Sequence, residues 1–532
     1  MKPIRIVIAL LFVVLLGFGL MFVRRNRTFN LPALPPTTAE ARATRQSLIT
    51  TVAPAPLPTG LPLVGREGVT ADGYPTQYVD EAALRSLLWH GEFATLSKDI
   101  EELQSRFEED PKREYWPIDA SSAFGSAEPD LDASLDAWAK ATPSSFAPYL
   151  ARGAHRTAVA FARRGGKWAK DTPAEDMAAM KQGLADAMED LDHARALRPK
   201  LVAAMRQQLH VLLLAPAGHD LSKVIGDAVA VCPSCFQVRV TYIFDLLPRW
   251  NGSYAQMDAF AGQSADPRWP RLAALAGYAD EDRADLLHKN HKDDEALETA
   301  NKALAHGETP DFLLMRAKAY ISKKNFDAAR LDLDKALELW PNFEPARFRR
   351  AWLAWSVRQW EAAGQDLLFG LRVDPTDSEG RSIFDNVVAG LVFEGWERFK
   401  AGKRDDALRI YDLAADLAPT NGELLSRRPW VIVGHEGATV DEAIASAEAA
   451  LRAHPGDFRA TQELDYDLSR KGAFVQILPL WDSYLAAHPD DGPAHMERAG
   501  TLHNLGRDAD ARAEAAKACS LGISRGCVRA VQ

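Results

Sequence analysis

The chain opens on an uninterrupted apolar block, Ile6–Val23 (IVIALLFVVLLGFGLMFV), with no charge inside it and Lys2 and Arg5 before it. At 1.5 Å of rise per residue such a helix nearly spans a bilayer's hydrocarbon layer, and Ile4 extends it. Arg24, Arg25, Asn26 and Arg27 follow where a secretory leader would carry a small-residue cleavage site, so residues 1–27 read as a retained anchor in an inner membrane. Lys2, Arg5 and the α-amine on one side nearly balance Arg24, Arg25 and Arg27 on the other, so these charges alone do not orient it. Residues 28–79 lose the apolar pattern. Pro32, Pro35, Pro36, Pro54, Pro56, Pro58 and Pro62 punctuate a Thr- and Ala-rich stretch that predicts a semi-extended tether. From Asp80 the period becomes helical: Leu84, Leu87, Leu88, Leu96, Ile100, Leu103 and Phe107 form a stripe, with Gly91 at a break between two helices.

The C-terminal half repeats itself. Pro341, Pro375, Pro419, Pro455 and Pro489 each close an Ala/Leu-rich helix end, at gaps of 34, 44, 36 and 34 residues, the longer gap reading as a ten-residue insertion around Thr376–Asn386. Small residues recur where paired helices must cross closely. Ala317, Ala351 and Gly395 lie on first helices. Ala329, Ala363, Ala407 and Ala443 lie on second helices, with Ala336, Gly370, Ala414 and Ala450 seven residues later. With FLLMRAKAYISKKNFDAARLDLDKALELWPN and RRAWLAWSVRQWEAAGQDLLFGLRVDP, this pattern resembles the tetratricopeptide (TPR) family. The resemblance implies an all-α, right-handed α-solenoid of about seven helical hairpins over residues 271–532, working by protein recognition.

The 34-residue spacing echoes upstream at Pro199 and Pro233, so residues 80–270 are expected to add longer, less regular TPR-like hairpins. This region also resembles an uncharacterised bacterial family known only as a domain of unknown function, through Trp138 with Pro143-Ser144-Ser145, Arg152-Gly153, and Pro248-Arg249-Trp250-Asn251-Gly252-Ser253 followed by Met257. That resemblance brings no activity with it.

Composition sharpens the picture only in part. A formal net charge of -10 lacks the basic stripe that nucleic acid demands. Scarce β-branched runs and abundant Ala favour helix over sheet. No Walker A loop, G-x-S-x-G elbow or H-E-x-x-H helix occurs, and no spacing pairs two carboxylates as acid and base. The expectation is a protein without catalysis or cofactor.

Four cysteines carry the remaining chemistry. Cys519 and Cys527 stand in a C-x7-C spacing that lets one helix end face the next helix start, a geometry a disulfide closes; two small buried residues are the plainer reading. The spacing resembles the stapled hairpins of exported Sel1-like repeat proteins, and a bond there implies an oxidising compartment, the periplasm of a bacterium. Cys232-Pro233-Ser234-Cys235 is a C-x-x-C pair. It suits a thiol-redox or zinc site only weakly, since no second ligand pair and no βαβ context accompany it, and a structural turn or a small disulfide is favoured. His288 and His291 sit on a polar surface and read as solvated.

Recognition is the better prospect. Counting from the small residue at each helix crossing, Phe348, Trp352 and Trp355, then Trp396 and Phe399, fall on the groove-facing sides of two successive first helices. Aromatic rings in such a groove anchor a protein or peptide partner; packed against one another they are core instead. Leu314, Lys318, Phe348 and Trp352 do not match the family's basic clamp for C-terminal carboxylates. The function expected is a membrane-anchored interaction scaffold. The alternatives are the Cys232/Cys235 thiol or zinc protein and a structural role in the cell envelope.

Overall fold

The computed structural model describes residues 52–523, except 71–72, 166–170, 214–219, 420, 422, 425–426, 429–430, 432–438 and 454. The Ile6–Val23 anchor, the first part of the 28–79 linker and Cys527 lie outside the described residues. Among those described, no helix is long and apolar enough to cross a membrane.

Two short strands, β1 (Leu63–Val64) and β2 (Tyr78–Val79), pair antiparallel, with Leu63 opposite Val79. Everything after them is helical. The N-terminal region begins with α1 (Glu81–Trp89) and α2 (Phe93–Glu109), followed by the short α3 (Tyr115–Ser122) and α4 (Leu131–Ala141). A long pair comes next, α5 (Ala147–Arg164) and α6 (Ala174–Leu197), then α7 (Val202–Leu212), α8 (Leu221–Val231), α9 (Gln237–Asp245) and α10 (Tyr254–Ser264). The repeat array follows: α11 (Tyr278–Lys289), α12 (Asp293–Leu304), α13 (Pro310–Ser322), α14 (Phe326–Leu339), α15 (Glu344–Ser356) and α16 (Trp360–Val373). It continues through α17 (Ser378–Lys400), α18 (Arg404–Leu417), α19 (Val440–Ala453), α20 (Phe458–Arg470), α21 (Phe474–Ala487), α22 (Gly492–Asn504) and α23 (Asp508–Ser520).

Local chemistry starts these helices. Asp80, Thr309, Asp377, Asp457 and Asp491 each accept a hydrogen bond from a backbone N–H of the first turn that follows, of α1, α13, α17, α20 and α22 respectively. The turn inside a hairpin is equally stereotyped. Gly91, His291, Lys324, Arg358, Gly402, Gly472 and Gly506 all take a positive φ between 58° and 76°. After each, the next N–H bonds to a carbonyl five residues back, as Gln359 does to Ala354 and Lys403 to Arg398. This left-handed closure reverses the chain between the two helices of α1/α2, α11/α12, α13/α14, α15/α16, α17/α18, α20/α21 and α22/α23. Such hairpins, stacked in order, are a TPR-like helical repeat.

The small residues do what the crossing requires. Ala317, Ala329, Ala336, Ala351, Ala363, Ala407, Ala414 and Ala443 are completely buried. A Cβ added at Gly370 would strike the Phe348 ring, and one at Gly395 the ring of Tyr411. The ten extra residues expected near Thr376–Asn386 do not form a loop. They lengthen α17 to 23 residues, with Gly380 and Gly390 lying against Phe348 and Trp360.

The tether expectation needs correction over its described part. Val52 packs on the core around α15–α18, and Leu61 and Leu63 on the core of the N-terminal helices. The Pro62 carbonyl accepts from Asp80 N–H at 2.9 Å. Few apolar groups suffice here because the stretch borrows a core already built by the helices.

Candidate interaction surface and buried junction

The five aromatic residues do not share one fate. Phe348 is 2 % exposed and lies between Gly370 and Gly380, in the hollow left by two missing side chains. It is a core residue, and the expectation that it faces a groove is wrong. Trp352 is half-buried and touches two core clusters, the one around α13 and α14 and the one around α15 to α18. Its ring centroid lies 6.1 Å from that of Trp355, which packs on the second cluster. Both serve packing with one face and leave the other partly open.

Trp396 and Phe399 form a second pair on α17, 5.3 Å apart. Gly395 seats this helix against Tyr411, which turns Trp396 aside and leaves Phe393, on the far face, 59 % exposed. The Arg427 guanidinium stands 5.3 Å from the Trp396 ring centroid and that of Arg404 5.7 Å from Phe399. A surface of this kind, half-exposed rings bordered by guanidinium groups, contributes area and cation–π attraction to a partner.

Arginine supplies the stitching between hairpins. Arg350 on α15 binds Asp366 on its own hairpin and Asp334 on the preceding one, each at 2.7 Å. Arg498 on α22 repeats this with Glu514 at 2.6 Å and Asp482 at 2.7 Å, and Arg316 on α13 binds Asp332 at 2.7 Å. Each partner lies sixteen residues from its arginine, a spacing legible in the sequence but not read from it. The same ladder occupies a cavity of about 550 Å³ at the α14–α16 turns, where Arg350, Arg330, Asp334 and Asp366 meet Phe326 and Val357.

A second set of polar groups is buried where the N-terminal region meets the array. Glu114 accepts from the Phe236 and Gln237 N–H groups at 2.8 and 3.1 Å, capping α9, and pairs with Arg271 at 3.2 Å. Arg271 also bonds the Tyr115 hydroxyl. The Tyr115 ring lies 4.6 Å from that of Trp340. Trp340 Nε1 and Asn342 Nδ2 donate to the two carboxylate oxygens of Asp119 at 2.9 and 2.8 Å, and Asn342 also donates to the Val79 carbonyl. Burial pushes the Asp119 carboxyl up to about 7. Burial likewise raises Glu344 to about 8, aided by Asp374 and Asp377, and Glu281 to about 8, aided by Asp311 and Asp285. Perturbed carboxyls mark many active sites. Here both Asp119 oxygens are already taken by protein donors, so the arrangement is that of a clamp.

Cys232 and Cys235 are disulfide-bonded, each 2 % exposed, in the turn from α8 to α9. Arg239 donates to the Pro233 carbonyl at 2.8 Å and to the Cys235 carbonyl, holding that turn. Bonded sulfurs are not thiolate ligands, and their burial closes them to exchange, so the pair is a structural staple rather than the zinc or dithiol site weighed above. Cys519 is disulfide-bonded, while Cys527 lies outside the described residues. His288 bonds Asp293 at 2.8 Å, and His291 occupies a left-handed turn. Among the described residues no group of three or more His, Cys, Asp or Glu is placed to hold a metal ion.

A family model described as a domain of unknown function (DUF4034) matches residues 80–217, the first part of the 80–270 region where the resemblance was noted, and leaves Pro248–Met257 outside. No curated protein matches the chain in sequence. Among solved structures, yeast Tom70 is similar at 12% identity, covering 85% of this chain and 93% of its own, with a TM-score of 0.24. The P58(IPK) TPR domain matches at 14% identity over 77% of this chain and 99% of its own, TM-score 0.21. PilW, described as a type IV pilus biogenesis factor, matches at 16% over 42% of this chain and 98% of its own, TM-score 0.24. Scores this low carry no argument about function, and the repeat architecture rests on the hairpins themselves.

Proposed function

We propose that the protein is an interaction scaffold held at a membrane by Ile6–Val23, binding a protein or peptide partner through the α17 face of its TPR-like array. The observation that carries this reading is the Phe393 and Trp396 surface, Phe393 exposed and Trp396 half-exposed beside Arg427, on a rigid helix whose other side, Phe399 included, packs on the α15–α18 core. Trp352 and Trp355 extend the apolar surface on α15 while anchoring the core. The buried Cys232–Cys235 bond supports an oxidising compartment, hence a periplasmic array. A Cys519–Cys527 staple would agree with it. A reporter fused after Gln532 and active only in the periplasm should be active; silence would move the array to the cytosol.

The binding test pairs two measurements on one set of variants. Phe393→Ala/Trp396→Ala should weaken a partner recovered from detergent extract tenfold or more, with the thermal midpoint nearly unchanged. Trp352→Ala should instead cost about 3 kcal/mol of folding stability through its loss from two core clusters. A stability loss of that size for the Phe393/Trp396 pair, or undiminished binding, would remove the α17 face from the proposal.

A further inference from the structure

Residues 52–57 (Val-Ala-Pro-Ala-Pro-Leu) cross from the repeat array to the N-terminal region as an extended strap, with no secondary structure of their own. Proline at 54, 56 and 58 biases the preceding residues to extended backbone, so the strap is partly pre-shaped. Its side chains alternate. Ala53 and Ala55 are half-buried, whereas Pro54 and Pro56 face solvent. Its ends are held by specific groups. Ala53 N–H donates to the Asp416 carbonyl at the end of α18 at 2.6 Å. The Ala53 carbonyl accepts from Arg372 Nε on α16 at 3.0 Å, and the same guanidinium binds the Asp416 carboxylate at 3.0 Å. The half-buried Val52 packs on the α15–α18 core, and the Ala55 carbonyl accepts from Ser86 Oγ on α1.

This is how a peptide is read. One residue has both its N–H and its C=O satisfied by the array, the neighbouring valine packs on apolar side chains, and the exposed Pro54, Pro56 and Leu57 are free to vary. Arg372 is pre-oriented by Asp416, so the groove offers its donor and its acceptor side by side. From this geometry we infer that the groove between α16 and α18 is a binding site for extended, alanine–proline-rich peptide segments, which the chain fills with its own residues 52–57. The site is separate from the Phe393/Trp396 face and does not depend on it. The tethered strap competes at an effective concentration on the order of millimolar, so a free segment enters only when the strap leaves or the competitor is abundant.

The test uses the full chain in detergent and a fluorescein-labelled synthetic peptide of residues 50–60. Ala53→Pro removes the N–H given to Asp416 and should release the strap, seen as faster motion of a spin label attached at Leu57→Cys. The labelled peptide should then bind Ala53→Pro at least about tenfold more tightly than wild type by anisotropy. Adding Arg372→Ala should cost that binding tenfold or more, and a peptide carrying proline at position 53 should not bind. Equal binding to wild type and Ala53→Pro would overturn the inference, as would no binding to Ala53→Pro at millimolar peptide or binding indifferent to Arg372. Val52→Asp is a second release variant; if neither it nor Ala53→Pro frees the label, the strap is an inseparable part of the core and the inference fails.

Discussion

Arg350 in the repeat array finds its partners, Asp334 and Asp366, sixteen residues to either side, whereas Asp119 in the N-terminal region finds Asn342, 223 residues away. The array is stitched by short-range pairs and by alanine at each crossing, and the stitch recurs from hairpin to hairpin. Among its described residues the N-terminal region carries one hairpin turn of the same kind, at Gly91, and one such arginine stitch, Arg152 to Asp136; beside its apolar core it adds buried polar contacts of longer reach: Arg85 to Glu128, Glu114 to Arg271, Asp119 to Trp340 and Asn342. Repeated local contacts tolerate variation in any one unit. A buried polar junction does not, because each member left alone is an unsatisfied charge.

The contrast is most exposed at Arg271. Arg271→Ala strands the buried Glu114 carboxylate and should cost about 4 kcal/mol in urea unfolding; a loss below about 1 kcal/mol would show that the junction is not what holds the two regions. Phe348→Ala empties the hollow framed by Gly370 and Gly380 and should cost about 3 kcal/mol by the same measurement. Native stability with a lost partner would instead return Phe348 to the groove.

A pH series separates the junction from the array. Asp119 has its folded pKa raised to about 7, above an unfolded value of about 4, so the native state binds the extra proton between those limits. Its contribution is complete below about pH 4 and is lost as pH rises through 7. Wild type should therefore lose about 2 kcal/mol between pH 5 and pH 8 that Asp119→Asn does not lose. Glu281 and Glu344 shift in the same sense and cancel in the difference between the two proteins, which reports Asp119 together with the buried Glu81 that feels its charge. The smallest effect belongs to the array. Arg358 holds a φ of 60°, a conformation that costs a residue bearing Cβ, so Arg358→Gly should raise stability by about 0.5 kcal/mol. Unchanged or lowered stability would mean that the Arg358 side chain earns its place by contacts.

What the sequence disclosed follows the same division. The hairpins were legible because Ala317, Ala351 and Ala407 recur with a period, and a period is visible in one sequence. Phe348 was misread because its groove position was counted along one helix. The emptiness that receives it belongs to Gly370 and Gly380 on two others, and a large residue opposite two glycines was the available sign. The insertion around Thr376–Asn386 was legible as a break in the period, but not that it lengthens α17, with Gly380 a seat for Phe348 and Gly390 beyond it a seat for Trp360. Nothing periodic announces Asp119 beside Asn342, or Ala53 beside Asp416; such pairs arise only when the chain has folded back on itself.

That folding back alters how the array comes apart. A stack of hairpins touching only their neighbours unfolds piecemeal, each unit lending stability to the next as in a one-dimensional lattice. Here Asp119 with Asn342, the strap with Arg372 and Asp416, and α1 against α16 add couplings between distant sites of that lattice. The hairpins up to α18 should melt as one block, while α20–α23 keep nearest-neighbour behaviour and fray first. In hydrogen exchange the chain would then show two cooperative units whose border falls after α18, within the repeats and far from any change of family.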